Sequence, residues 1–465
     1  MTAMRGIVSR IMARTIARTA LTAALLACSA GCANTLMPTP VGLDRAGADP
    51  FTQTPPELRS TEVPVFIASN RGVEEQVPAN SPSRFNDKRS QHMHLGVMTV
   101  DVGAGKFDWT TLEACSREDN RPDDPVVALR SIEEFGAMWT GATALDPDPS
   151  LDKQVAEKFE AAVNAQLAKS PSKELFILVH GFNTTVPDNA ALAAELFHFL
   201  GRDGAMVLFE WPSAGSVFAY QTDKSAATAS IRGFRQFLNH VARRTECAKI
   251  NIIAHSAGAP VAVEALHELR LMYAAETAAQ VRTRIKLGRL VLVAPDMDLD
   301  EFRDSVSDGT STIPERVTLY VSSRDKALDL SAWMAGFARL GQPLDVLTPR
   351  QVKFLEQDAN VDIVDVVDAE NRLGSWLGHS YFHDDPWVST DVLLTLRTGT
   401  RPAQRGLVFD DDRKVFVFGK KYPEHARTAA KSLLSGGTGL DVPPEAGASA
   451  APAHPPTPEA PEESR

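Results

Sequence analysis

The chain has 465 residues, 43% of them hydrophobic, and a formal charge of −11 from 48 basic and 59 acidic side chains. That length and apolar content bury a large core, in one long α/β domain or in two to three ordinary ones. The acidic balance excludes nucleic acid as a partner, because phosphate binding needs clustered positive charge.

Arg5, Arg10, Arg14 and Arg18 open the chain without a single acid among them, and Thr19 to Ala27 is a compact Leu/Ala run. The run is too short to span a bilayer and reads as the apolar region of an export signal over residues 1–32. Cysteines at 28 and 32 close it. Small residues precede Cys32 (Ala30-Gly31), so Cys32 is the first choice for an acylated cysteine. Cys28, with Leu25-Leu26-Ala27 ahead of it, is the rival, and plain signal cleavage is also open. Either way the protein is expected outside the cytoplasm, in the periplasm or at the outer membrane as a lipoprotein. Only Cys115 and Cys247 remain beyond the signal, and two cysteines define no disulfide framework.

Residues 33–60 are Pro-rich and polar and read as a flexible tether. The folded domain is expected over 61–430. Val63 to Ala68 and His94 to Val100 are strand candidates, and residues 125–170 read as helical, with Val155, Phe159, Val163 and Leu167 four apart on one face. Strand and helix then alternate: Leu175–Val179 strand, Asn189–Leu200 helix, Ala205–Phe209 strand, Lys224–Arg243 helix, Ile250–Ala254 strand, Ala257–Leu269 helix. Leu290–Ala294, Val317–Val321 and Val361–Val367 are further strands. Runs such as LFILV, apolar without a break, suit strands buried on both faces. The alternation predicts a mostly parallel central sheet with helices on both faces. Residues 431–465, rich in Pro, Ala and Gly, read as a disordered tail.

Ser256 lies between a strand and a helix in Ala254-His255-Ser256-Ala257-Gly258, a variant of the G-x-S-x-G pattern. A serine held at so tight a turn has a strained backbone and an exposed Oγ, and the residues two before and two after must be small. The following helix directs its positive end at a developing oxyanion. His180-Gly181 ends an earlier strand, which makes the amides of Phe182 and Ala257 the candidate oxyanion hole. A base must follow the nucleophile and the acid in chain order. His379, in LGHSYF after the last strand, fits best, ahead of His383 and His425. His255 reads as structural. Asp325, following the Val317–Val321 strand, is the first choice for the acid, with Asp296 one strand earlier as its rival. Trp211, Phe218 and Tyr220 are candidates for lining an acyl pocket.

Together these stretches resemble a bacterial α/β-hydrolase family of unknown function within the esterase/lipase superfamily. VPVFIASNR, LFILVHGFNTT, LFEWPSAGSVFAYQTDKSAA, INIIAHSAGA, LVLVAPDMD, TLYVSSRDKAL and LGHSYF carry the resemblance, from Val63 to Phe382. It implies the α/β-hydrolase fold and a Ser256, Asp325, His379 triad. Ala254 departs from the glycine common at that position. The expected activity is ester hydrolysis through an acyl-enzyme, on a small-molecule ester or lipid, with no metal or organic cofactor required. A non-catalytic envelope or binding module on the same fold, and a thioesterase or amidase using the same triad, are the other readings. A lipid anchor would make the membrane a partner; the residues say nothing of oligomeric state.

Overall fold

The computed structural model describes residues 34–76, 82–139, 149–322, 340, 358, 360–370 and 379–440. Eleven strands form one sheet in the order β10-β11-β9-β8-β7-β6-β4-β5-β1-β2-β3. Its centre is the expected parallel set. These strands are β4 (Glu174–Val179), β5 (Ala205–Glu210), β6 (Lys249–His255), β7 (Leu287–Val293), β8 (Arg316–Val321) and β9 (Val361–Asp365). All pair in parallel with their neighbours. β1 (Glu62–Val73) joins β5 in parallel. Antiparallel pairing extends the edge through β2 (Phe85–Val102) and β3 (Val127–Trp139), and β10 (Val408–Asp410) with β11 (Val415–Val417) closes the other side.

Side chains along a strand alternate between faces, and the buried residues divide accordingly. Leu175, Ile177 and Val179 of β4 join one core cluster, Phe176 and Leu178 the other. On the first face lie α2 (Pro149–Leu167), α4 (Tyr220–Arg244), α5 (Gly258–Met272), α6 (Ala278–Ile285) and α7 (Leu299–Ser307). The second face carries α1 (Trp109–Ser116), α3 (Val186–Phe199), α10 (Pro386–Thr398) and α11 (Tyr422–Leu434). Two short helices, α8 (Val367–Glu370) and α9 (Tyr381–Asp384), lie between β9 and α10. Among the described residues no helix is long and apolar enough to cross a membrane.

Three expectations are corrected. Residues 34–60 are not a free tether. Leu36, Met37, Val41 and Leu43 are buried in the second core cluster, Thr35 bridges to Val126, and the Met37 amide donates to Glu195. Few apolar residues among prolines suffice, because the body supplies the rest of the core. The helical reading of 125–170 holds from Pro149 only; 127–139 is β3, an edge strand whose exposed charges (Arg130, Glu133) obscure the alternation. The domain boundary at 430 falls inside α11. The proposed signal over 1–32 and the tail beyond 440 lie outside the described residues. Cys115 and Cys247 are both free thiols.

Candidate active site

β6 ends at His255 and α5 begins at Gly258, so the chain must reverse within two residues. Ser256 takes the strain of that reversal with φ of +52°, a left-handed conformation that a side chain rarely adopts. The Ser256 amide donates to the Val293 carbonyl at 3.0 Å, and its own carbonyl accepts the Asp296 amide at 3.1 Å, which locks the bend to the end of β7. A Cβ on Gly258 would lie 2.5 Å from the carbonyl oxygens of both Val179 and His180. Glycine is therefore obligatory there, whereas Ala254 fits as a fully buried strand residue.

The half-buried His379 stands across from the bend. Its Nε2 lies 2.7 Å from Ser256 Oγ, although 123 residues separate the two in sequence. Of the three candidate bases, His379 alone is brought to the serine. His383 sits in α9 with its Nδ1 3.2 Å from Asp384, and His425 is on α11 beside Gly406. His255 Nε2 donates to the His379 carbonyl at 3.1 Å. Burial, reinforced by the neighbouring His379, pushes the His255 pKa well below the usual imidazole range, so the ring is a neutral donor. The ring, read from the sequence as structural, thus contacts the segment of the candidate base, with its centroid 4.9 Å from that of His379.

The candidate oxyanion segment follows β4. A Cβ on Gly181 would sit 2.9 Å from His255 Nδ1 and 3.1 Å from Ser256 Cβ, so only glycine lets this segment approach the bend. Among the described residues the amides of Phe182 and Ala257 donate to no protein acceptor, and both residues line one cavity of about 410 Å³. Tyr220 lines it too, its ring edge-on to Phe182 and its hydroxyl donating to Asp296 at 2.9 Å. Trp211 and Phe218 do not line it. Trp211 is fully buried and stacks on His180, and Phe218 is 78% exposed.

Behind that segment lies a buried polar network that sequence reasoning assigned no role. Glu210, at the end of β5, accepts from Arg71 Nε at 2.8 Å and from Asn189 Nδ2 at 3.0 Å. Arg71 also donates to the Ser213 carbonyl at 2.7 Å, and Ser213 Oγ donates to Asp223. The Trp211 indole donates to the His180 carbonyl at 2.8 Å, and the Trp211 amide to His180 Nε2 at 3.1 Å. Burial lowers the His180 pKa against the opposing pull of Glu210. The only sequence signal was a charge at the end of an apolar strand, in VPVFIASNR and in LFEWPSAG.

Of the two candidate acids, Asp296 is buried just beyond β7 with the Tyr220 contact described above, and Asp325 lies outside the described residues. Cys32 also lies outside them.

A doubly covered, mostly parallel sheet with a strained serine turn at the carboxyl end of a central strand defines the α/β-hydrolase class. The chain belongs to the family described as alpha/beta hydrolase of unknown function (DUF900), whose model matches residues 155–397. Among solved structures it is similar to a predicted CIB-like hydrolase from Thermoplasma acidophilum, at 18% identity over 49% of this chain and 87% of that chain, with a TM-score of 0.25. No curated protein matches it.

Proposed function

We propose that this hydrolase cleaves carboxylic esters through an acyl-enzyme, with Ser256 as nucleophile, His379 as general base, Asp325 as the acid that orients it, and the Phe182 and Ala257 amides as oxyanion hole. The observation that carries the reading is the 2.7 Å contact between His379 Nε2 and Ser256 Oγ, made at a serine whose backbone is strained to φ +52°. Both acids keep the chain order of nucleophile, acid and base, since β7 and β8 both lie between β6 and β9; Asp325 is preferred because the Asp296 carboxylate already accepts from the Tyr220 hydroxyl at 2.9 Å.

In this reaction His379 Nε2 takes the Ser256 proton as Oγ bonds to the ester carbonyl carbon. The carbonyl oxygen becomes the oxyanion between the two amides. The bond to the leaving alkoxy oxygen then breaks as His379 returns the proton to it. Water, deprotonated by the same ring, attacks the acyl-enzyme and releases acid and Ser256. The 410 Å³ cavity beside Phe182, Ala257 and Tyr220 has room for a short acyl chain. Export, with Cys32 acylated, would bring this site to the periplasm or outer membrane and give it lipid esters as a further substrate class.

The test is a fluorophosphonate probe beside a p-nitrophenyl ester, with thioester and amide analogues in parallel. Labelling and ester hydrolysis by the wild type, both abolished in Ser256→Ala, are expected. A wild type that hydrolyses the ester while Ser256→Ala does so equally well would refute the assignment. Faster thioester or amide cleavage would keep the nucleophile and replace the substrate class.

A further inference from the structure

The aromatic residue two places after the base is built into the sheet itself. Tyr381 is buried, and its hydroxyl accepts the Ala294 N–H at 3.0 Å while donating to the Tyr320 carbonyl at 2.9 Å. Ala294 is the first residue beyond β7, held at φ +45°, and Tyr320 is the β8 residue paired with Val293, the last of β7. The Ala294 amide is also shared with the Tyr320 carbonyl at 3.1 Å. One hydroxyl therefore closes the last rung between two parallel strands, at the point where their chains diverge. Each strand continues into a candidate acid: β7 into Pro295-Asp296, β8 through Ser322 towards Asp325.

We propose that Tyr381 is a positioning residue for His379, tying the base to the two strand ends from which the acids depart. This rests on the reading of Ser256 and His379 as catalytic. The His379 carbonyl accepts a side-chain hydrogen bond from His255 Nε2 at 3.1 Å. Tyr381 supplies two more within two residues, and its burial keeps solvent from replacing them. A phenylalanine would keep the ring packing and lose both. The Ala294 amide would keep its bond to Tyr320, so the sheet should survive while the base segment loosens. A displacement of the order of 1 Å at a reacting group costs about a hundredfold in rate. A looser base lowers turnover without altering the cavity that holds the substrate.

The experiment compares Tyr381→Phe with Thr390→Val in the full chain, by kcat and KM on p-nitrophenyl butyrate and by the rate of fluorophosphonate labelling. Active-site titration counts folded molecules, so partial misfolding does not enter kcat. Thr390 is an equally buried control. Its hydroxyl likewise accepts one backbone amide (Gly42, 3.1 Å) and donates to one carbonyl (Pro386, 2.6 Å), away from the base. Tyr381→Phe is expected to lose about 10- to 100-fold in kcat and in labelling rate with KM within about threefold, while Thr390→Val retains both. Tyr381→Phe with kcat within twofold of wild type would overturn the positioning role. Equal losses in both variants would overturn it too, since only general stability would then be at stake. A wild type that neither labels nor turns over would instead overturn the hydrolase reading on which the role rests.

Discussion

Arg71→Met tests how much the fold depends on the charge pair behind the proposed oxyanion segment. Arg71 and Glu210 have side chains 4% and 0% exposed, and Arg71 supplies the only cation beside that carboxylate among the described residues. Methionine fills similar volume and leaves Glu210 with Asn189 and with the His180 ring, whose Nε2 lies 3.4 Å from Oε2 and whose charged form burial disfavours. Breaking a buried pair from one side costs about 3–5 kcal/mol, because the remaining charge stays desolvated. A change of that size lowers the folded-to-unfolded ratio by about two to three and a half powers of ten. Urea unfolding measures it as a lowered midpoint. Arg71→Met/Glu210→Gln removes the stranded charge and keeps an acceptor for Asn189, so the double variant should recover most of the loss. The same substitution removes the donor to Ser213, whose neighbour Trp211 holds the His180 carbonyl. Fluorophosphonate labelling should therefore slow as well. A single variant losing less than about 1 kcal/mol, or a double variant no better than the single, would show that no stranded charge is at work.

Two further outcomes follow from the geometry. Gly258→Ala drives a methyl to 2.5 Å from two carbonyl oxygens at the end of β4. It should cost about 1–3 kcal/mol in thermal unfolding and slow labelling of Ser256 at least tenfold; an unchanged labelling rate would show that the close approach of turn and oxyanion segment is dispensable. Glu195 is the pH-sensitive case. Burial, with the nearby charge of Asp384, raises its pKa to about 8. The folded state therefore holds a proton that the unfolded chain has released above about pH 4.5. Stability is lost as pH rises towards 8 and levels off beyond it. Glu195→Gln keeps the acceptor for the Met37 amide and removes the titration. Relative to wild type, the variant should gain up to about 1.4 kcal/mol per pH unit between pH 6 and 8 in urea unfolding; parallel curves would refute the buried-proton reading.

What the sequence makes legible depends on whether a feature is local. β4 to β9 can be read because burial on both faces leaves unbroken apolar runs, and the serine turn because its small residues are neighbours in the chain. His379 is reachable only through the order of elements, since nothing in LGHSYF specifies a distance to Ser256. β3 hides because an edge strand keeps charges on its open face. The segment from Leu36 to Leu43 hides because its apolar residues complete a core that the rest of the chain builds. Arg71 and Glu210 are the hardest case. A charged residue ending a strand is by default exposed, and these two are 139 residues apart. They meet because β1 inserts beside β5 in a register that sets Ser69 against Glu210, which turns a charge late in β1 and the last residue of β5 into one buried pair. The same holds for Tyr381: its partners are backbone groups at the ends of β7 and β8, so its role exists only once those ends are adjacent. Residues that hold a segment in place through backbone contacts leave no pattern of side-chain types, and that is why the serine turn can be read in this chain while the frame around the proposed base cannot.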